Sequence, residues 1–147
     1  MPTNVDEFSK EIDKFNKTVK VQLVKFHKDI VHSVYKEIVK LSPVWSGQFR
    51  GNHNIMIGGM DTKVRFNPAA QTTSWPTTPN FVLRPRGDKY IKGRLSKLKP
   101  FENVNITNAL DYAFELEGGR SPQAPAGIYL IAATKVSFRF RGRKVRV

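Results

Sequence analysis

The side chains that could perform chemistry are few and scattered. His27, His32 and His53 show no His-Glu-x-x-His spacing of a zinc protease. The chain has no cysteine, which excludes disulfides and thiolate metal ligands. We therefore predict no metal site and no bound cofactor. His27 and His32 are interpreted as partly solvated side chains at the rim of a helix.

The densest carboxylates outside the N-terminal region are Asp111, Glu115 and Glu117. Two of them could act as a general acid and base pair. The interpretation we favour is that they balance nearby arginines or make contacts between subunits. The sequence contains no Gly-Lys-Ser or Gly-Lys-Thr phosphate loop and no Gly-x-Ser-x-Gly nucleophile turn. It therefore predicts a protein that is not an enzyme.

Positive charge is the strongest compositional signal, because the formal net charge is +13. Up to Leu41, eight lysines face six carboxylates, whereas the remaining residues carry 17 basic and six acidic side chains. Such an excess favours an anionic neighbour, either nucleic acid or an acidic protein surface. A solvated lysine-rich face or a disordered loop is the alternative for residues 84–99. The basic residues predicted to face a partner or DNA are Arg84, Arg86, Lys89, Lys92, Arg94, Lys97, Lys99, Arg139, Arg141, Arg143, Lys144 and Arg146.

A helix from Asn4 to Leu41 is the element around which the chain is organised. Its apolar residues recur at steps of 3, 4, 3, 4, 4, 3, 4, 4, 4 and 3, which average 3.6. No proline or glycine interrupts the run, and Pro43 follows its end. A 38-residue helix is about 57 Å long, whereas the radius of gyration of a compact chain of this size is about 15 Å. A coiled-coil partner and this chain's own sheet are both expected to pack on it, along different portions.

The rest of the chain predicts a small α+β domain. Residues 53–66 are predicted to form a hairpin, 81–83 a brief strand and 101–108 a strand that continues to a turn at Gly118 and Gly119. Residues 127–140 are predicted to form the last helix. Residues 67–80 are predicted to form a loop with Trp75 as its apolar anchor. Residues 67–100 as a whole are predicted to form an extended loop or arm.

The predicted fold is thus a single domain spanning residues 1–147. Its long N-terminal helix and its C-terminal helix pack on a small, mainly antiparallel sheet, and an extended loop leaves the core. No apolar run approaches the roughly 20 residues that cross a bilayer, so no membrane contact is expected.

Two short boxes carry a family resemblance. The first is Ser42-Pro43-Val44-Trp45-Ser46-Gly47-Gln48-Phe49-Arg50-Gly51-Asn52, directly after the first helix. The second includes Tyr112-Ala113 and Glu117-Gly118 before the last helix. This order resembles the tail-completion or neck proteins of tailed bacteriophages, also described as minor tail components. Trp45-Ser46 stands where Asp-Thr is usual in that family and Phe49 where Leu is usual; the resemblance covers roughly 1–58 and 103–140.

The resemblance implies a structural virion protein that joins the portal and adaptor of the head to the tail tube. Its partners would be copies of itself in a ring, the neighbouring head-adaptor protein and a tail-tube or tail-terminator protein, with sequence-independent contact to packaged DNA. It would be located in the neck of the virion and, during assembly, in the host cytoplasm. The family motif implies structural roles for Ser46, Gly47, Phe49, Arg50, Tyr112, Ala113, Glu117 and Gly118. A free nucleic-acid-binding protein that uses residues 84–99 and 139–146 is the alternative.

Overall fold

The structure is a computed structural model that describes residues 4–71, 77 and 79–145. It has the α+β architecture that the sequence predicts, with helices at both ends of the chain and a two-stranded antiparallel sheet. Arg50–Asn52 form one short 3-10 turn. The helices and strands, in chain order, are α1 (Asn4–Leu41), β1 (Asn54–Ile57), α2 (Pro68–Gln71), α3 (Asp88–Arg94), β2 (Val104–Thr107), α4 (Ala113–Glu117) and α5 (Tyr129–Phe140).

The first helix has the predicted bounds, but only its second half is buried. Its buried residues are Val31, Tyr35, Glu37 and Ile38, whereas residues 4–17 are all exposed. Helix α5 packs against α1, where the Phe26 and Phe140 rings meet edge-on at 5.7 Å between centroids. The predicted last helix is thus present and packs against α1, and the first half of α1 projects from the domain.

Two apolar clusters form the core, and both include residues of the second half of α1. One cluster joins α1 to β1 and α3, and the other joins α1 to α5 and to the loop that contains Phe49. A buried carboxylate, Glu37, reinforces the second contact through Lys135 Nζ at 3.2 Å. The members are Val31, Tyr35, Ile55, Ile91, Leu95 and Leu98 in the first cluster, and Ile38, Phe49, Ala124, Ile128 and Ala132 in the second.

The predicted hairpin over residues 53–66 is wrong. Strand β1 instead pairs with β2, in a register that places Asn54 opposite Thr107. Residues 61–67 follow β1 but are bound by buried side-chain amides in place of a backbone ladder. Asn52 bonds both backbone groups of Arg65, at 2.6 Å and 2.8 Å, and Asn54 Nδ2 donates to Lys63 O at 2.7 Å.

The structure also differs from the arm predicted over residues 67–100, because Pro68–Gln71 form α2 and the chain between Leu83 and Leu98 packs into the core. Ile91, Leu95 and Leu98 are buried, and their steps of 4 and 3 place them on one side of α3 and the turn that follows. Helix α3 covers the edge of β1 that β2 leaves open, because Tyr90 Oη accepts from Ile55 N at 3.0 Å and Arg94 Nε donates to Ile55 O. Apolar residues interleaved with the charges therefore fold this segment into the core.

Two shorter predictions need correction, and one lies outside the described residues. Residues 81–83 are no strand; Leu83 N donates one backbone bond to Ser46 O at 2.9 Å. Residues 113–117 form helix α4, so the chain does not continue β2 towards the glycines. The part of the predicted loop at 72–76 and 78, with Trp75, lies outside the described residues, as does Arg146.

Of the helices in the described part of the chain, none combines the length and the hydropathy that a bilayer crossing requires.

Candidate functional site

The loop after α1 is fixed by a glycine that faces the chain near residue 83. Gly47 has a φ of +72°, and a Cβ added there would lie 2.1 Å from Leu83 O. Any other residue would therefore be strained and would displace the neighbouring backbone. Ser46 Oγ accepts from Gln48 N at 3.2 Å, and Phe49 is buried. Arg50 Nε donates to Val39 O at 2.9 Å, which ties the loop back to α1.

The second motif box starts α5 with a carboxylate. Both oxygens of Glu117 accept from the first backbone N–H groups of the helix, those of Ile128, Tyr129 and Leu130, at 2.8, 2.9 and 3.2 Å. A negative charge at a helix N-terminus is stabilising, because unpaired N–H groups and the helix dipole meet there. Ala113 packs against the second core cluster, and Gly118 ends α4. Glu117 therefore has a framework role.

The structure brings the two boxes together beside one apolar groove. The ring centroids of Phe49 and Tyr112 are 6.5 Å apart, and Asn108 Nδ2 donates to Phe49 O at 2.9 Å. The groove has a volume of about 740 Å³, which is within the usual range of binding pockets. Such a surface suits an apolar side chain of a partner. Its lining includes Pro43, Trp45, Phe49, Phe66, Leu110, Tyr112, Leu116 and Pro122, with Asp111 and Arg120 among its charged residues.

The three carboxylates near this groove do not converge on one point. Glu115 Oε2 pairs with Arg120 Nη1 at 3.1 Å, which confirms the predicted charge balance for this residue. Glu117 accepts hydrogen bonds from the N-terminus of α5, and Asp111 lines the groove. A general acid and base pair requires two carboxyl groups that both face the reacting part of one substrate. The described geometry gives these residues three different roles.

A buried histidine forms a polar network that no sequence motif indicates. His53 Nε2 lies 2.7 Å from Ser42 Oγ, and His53 Nδ1 lies 2.8 Å from Tyr129 Oη. Ser42 Oγ donates its proton to Ile38 O at 2.7 Å, so His53 Nε2 donates to Ser42 and Nδ1 accepts from Tyr129. Burial is the main cause that lowers the pKa of His53 to about 3, and Arg50 lowers it further.

This network is a framework and has no place for a substrate. Ser42 and His53 are 4% and 0% exposed, so a serine–histidine pair of this kind has no access to a substrate carbonyl. Burial also raises the pKa of Tyr129, with a contribution from the charge of Glu117. The partners are 11 and 76 residues from His53 in the chain. No short motif encodes such separations, which explains why sequence reasoning missed them.

Four of the predicted partner-facing basic residues have contacts within the chain. Arg94 Nη2 pairs with Asp61 Oδ2 at 2.7 Å, and Arg139 Nη2 lies 3.7 Å from Glu37 Oε2. Arg86 lies over the Tyr90 ring at 4.5 Å, and Arg143 lies over the Phe140 ring at 4.5 Å. Arg94 also donates to Ile55 O, so it belongs to the fold as much as to the surface.

The other described members of this basic set are exposed. The two basic segments lie beside different core clusters, since α3 contributes to the first cluster and α5 to the second. Beside α3, Lys36 and His32 hold the pKa of Asp88 below its usual value, with Lys36 the larger cause. The exposed members are Arg84, Lys89, Lys92, Lys97, Lys99, Arg141 and Lys144.

Within the part of the chain that the structure describes, no three His, Asp or Glu side chains cluster as metal ligands would. Comparisons with family models, with curated proteins and with solved structures found no match to this chain.

Proposed function

We propose that this chain is a structural subunit of a tailed-bacteriophage neck, where a ring of copies joins the head to the tail tube. The observation that carries the proposal is the projecting half of α1. Its apolar side chains at Val5, Phe8, Ile12 and Phe15 are exposed, although they continue the apolar face that the domain buries further along. Contiguous exposed apolar surface of this kind marks an interaction site.

The motif residues are consistent with a framework that presents such surfaces. Gly47, Phe49 and Arg50 fix the loop after α1, and Glu117 fixes the start of α5. Both boxes border the apolar groove, which offers a second surface for an assembly contact. These roles need no substrate, and we propose that the protein is not an enzyme.

The exposed basic residues suit an anionic neighbour in the same assembly. Lys89, Lys92, Lys97 and Lys99 lie on or after α3 and are exposed. In a neck they would face an acidic adaptor or tail protein, or packaged DNA in the channel. Contacts of this kind steer association and weaken as salt rises.

A nonsense mutation in the gene, within the genome of the parent phage, tests the proposal. The expected result is DNA-filled heads and separate tails in electron micrographs of the lysate, with joining restored by a plasmid copy. Normal tailed particles from the nonsense mutant would contradict it. A wild-type copy supplied in trans from the start is the matched control.

A free nucleic-acid-binding protein is the second candidate, favoured by the same exposed lysines. Native mass spectrometry with and without duplex DNA separates the two. A discrete ring without DNA supports the neck subunit, whereas a monomer that coats DNA supports the second candidate.

A further inference from the structure

The projecting half of α1 has a different apolar period from the buried half. Val5, Phe8, Ile12, Phe15 and Val19 follow steps of 3, 4, 3 and 4, two complete heptads with a mean of 3.5. From Val19 to Leu41 the steps are 4, 3, 4, 4, 4 and 3, with a mean near 3.7. A period of 3.5 keeps one seam facing a second helix in a left-handed coiled coil, whereas a longer period suits packing in a globular core.

Charge along the projecting half follows the same heptads. With Val5, Ile12 and Val19 at position a and the two phenylalanines at d, the outward positions b, c and f hold six charged residues. The positions beside the seam, e and g, are almost neutral. The outward charges are Asp6, Glu7, Lys10, Asp13, Lys14 and Lys17, and the residues beside the seam are Asn4, Ser9, Glu11, Asn16 and Thr18.

The nearly neutral e and g positions indicate that the seam pairs with a second copy of the same helix. Two identical helices that pair in parallel place each g residue near the following e residue of the other copy. Those pairs are Asn4 with Ser9 and Glu11 with Asn16, so self-pairing brings no like charges together. The residues at a are all β-branched, as in two-stranded parallel coiled coils, although phenylalanine stands at d in place of the leucine that is usual there.

We propose that residues 5–19 of α1 pair in parallel and in register with the same segment of a second copy of this chain. In the parallel, in-register arrangement each apolar residue of the seam meets its counterpart in the other copy. Such a pair has its own two-fold axis, so the seam joins copies two at a time and the proposed ring needs a further contact between pairs. Two heptads alone are marginal as an isolated helix. Here the helix is continuous with a half that the core holds, so the paired segment is ordered before it meets its partner.

The absence of cysteine makes a disulfide test direct. In the full-length chain, Val5→Cys places a thiol on the seam, and Lys10→Cys places the matched control on the outward side. A disulfide requires Cα atoms within roughly 7 Å of each other. Under mild oxidation we expect Val5→Cys to form covalent dimers at least tenfold faster than Lys10→Cys, as measured on non-reducing gels.

Equal rates for the two variants would overturn the proposal. A mixed disulfide between Val5→Cys and Phe15→Cys chains, without the Val5 self-link, would show antiparallel pairing and also overturn it. A link from Val5→Cys to Tyr112→Cys of another copy would place the helix in the apolar groove instead and would likewise overturn it. The Lys10→Cys variant must keep the wild-type unfolding temperature, which shows that the chain is folded in the comparison.

The outcome is separable from that of the neck proposal. If the nonsense mutant releases separate heads and tails but Val5→Cys fails to self-link, the neck function stands and the seam does not. If Val5→Cys self-links but the nonsense mutant still makes tailed particles, the seam stands and the neck function does not.

Discussion

The two halves of α1 share a helical apolar pattern and differ in what covers it. Phe8 and Phe15 are 64% and 55% exposed, whereas Tyr35 and Ile38 are each 1% exposed. The buried half contacts β1, α3 and α5, which explains why the core forms there. Periodicity therefore identifies an apolar face but leaves open whether the chain itself or a partner covers it.

Polar contacts also distinguish the buried half of α1 from the projecting half. The end of α1 is joined to the His53 network through Ser42, and Tyr35 Oη donates to His53 O at 3.3 Å. Glu37 pairs with Lys135 of α5. The second half of α1 is thus held by buried hydrogen bonds and an ion pair as well as by apolar packing. We expect substitutions there to act on folding and substitutions in the first half to act on assembly.

The largest effect on stability is expected from a matched pair of substitutions, one in each half of α1. Ile38→Ala removes a buried side chain and should lower the free energy of unfolding by about 2–5 kcal/mol. Phe8→Ala, the matched change in the projecting half, should change it by less than about 0.5 kcal/mol in the monomer. Urea unfolding at dilute protein concentration measures both. Similar losses for the two variants would contradict the division.

Acid should weaken the buried half through His53. Its pKa is about 3 in the folded chain and about 6.5 when unfolded, so the unfolded chain binds more protons between these values. The stabilisation is complete above pH 6.5 and falls by about 1.4 kcal/mol per pH unit as the pH decreases towards 3. Thermal unfolding between pH 7 and pH 4 measures this slope. His53→Gln should flatten that part of the profile, and an unchanged slope in the variant would show that other groups cause it.

A smaller effect should arise where α5 begins. Glu117→Ala removes the acceptor for three helix N–H groups and should cost about 1–2 kcal/mol, as lost caps do. Glu115→Ala is the matched control, because its exposed pair with Arg120 should contribute no more than about 1 kcal/mol. Chemical denaturation of both variants provides the comparison. A greater loss for Glu115→Ala would refute the capping role of Glu117.

The smallest effect on stability should come from the exposed lysines. Changing Lys89, Lys92, Lys97 and Lys99 to Glu should alter the free energy of unfolding by about 0.5 kcal/mol or less at each site. Head–tail joining should nevertheless fail, since like charges would oppose across the contact. Arg94 is left unchanged because it bonds Asp61 and Ile55. The control changes the same four lysines to Gln, which removes the charge without reversing it. A normal titre of infectious particles with the Glu variant would show that these lysines are merely solvated surface.

The sequence predicts the two long helices well because their signals are local. Helix α1 has an uninterrupted period with Pro43 beyond its end, and α5 lies within the predicted residues 127–140. The pairing of β1 was missed because its partner is about 50 residues away, at Val104–Thr107. Alternation at residues 63–66 suggested a nearer partner. The buried amides of Asn52 and Asn54 that bind this segment have no periodic signature.

Residues 84–99 show how composition can mislead. Seven basic residues dominate the segment, yet Ile91, Leu95 and Leu98 have helical spacing and are buried. That spacing was a usable signal for α3. The apolar groove needs residues from the loop after α1 and from the α4 region together, and only the tertiary structure brings those together.

Sedimentation velocity tests most directly whether the projecting half of α1 is an assembly surface. The wild-type chain should sediment as a discrete oligomer, and a Phe8→Ser/Phe15→Ser double variant should sediment as a monomer. The variant monomer should retain the unfolding free energy of the wild-type monomer, measured by urea at high dilution. A monomeric wild-type chain at assembly concentrations, or a double variant that unfolds, would contradict the account.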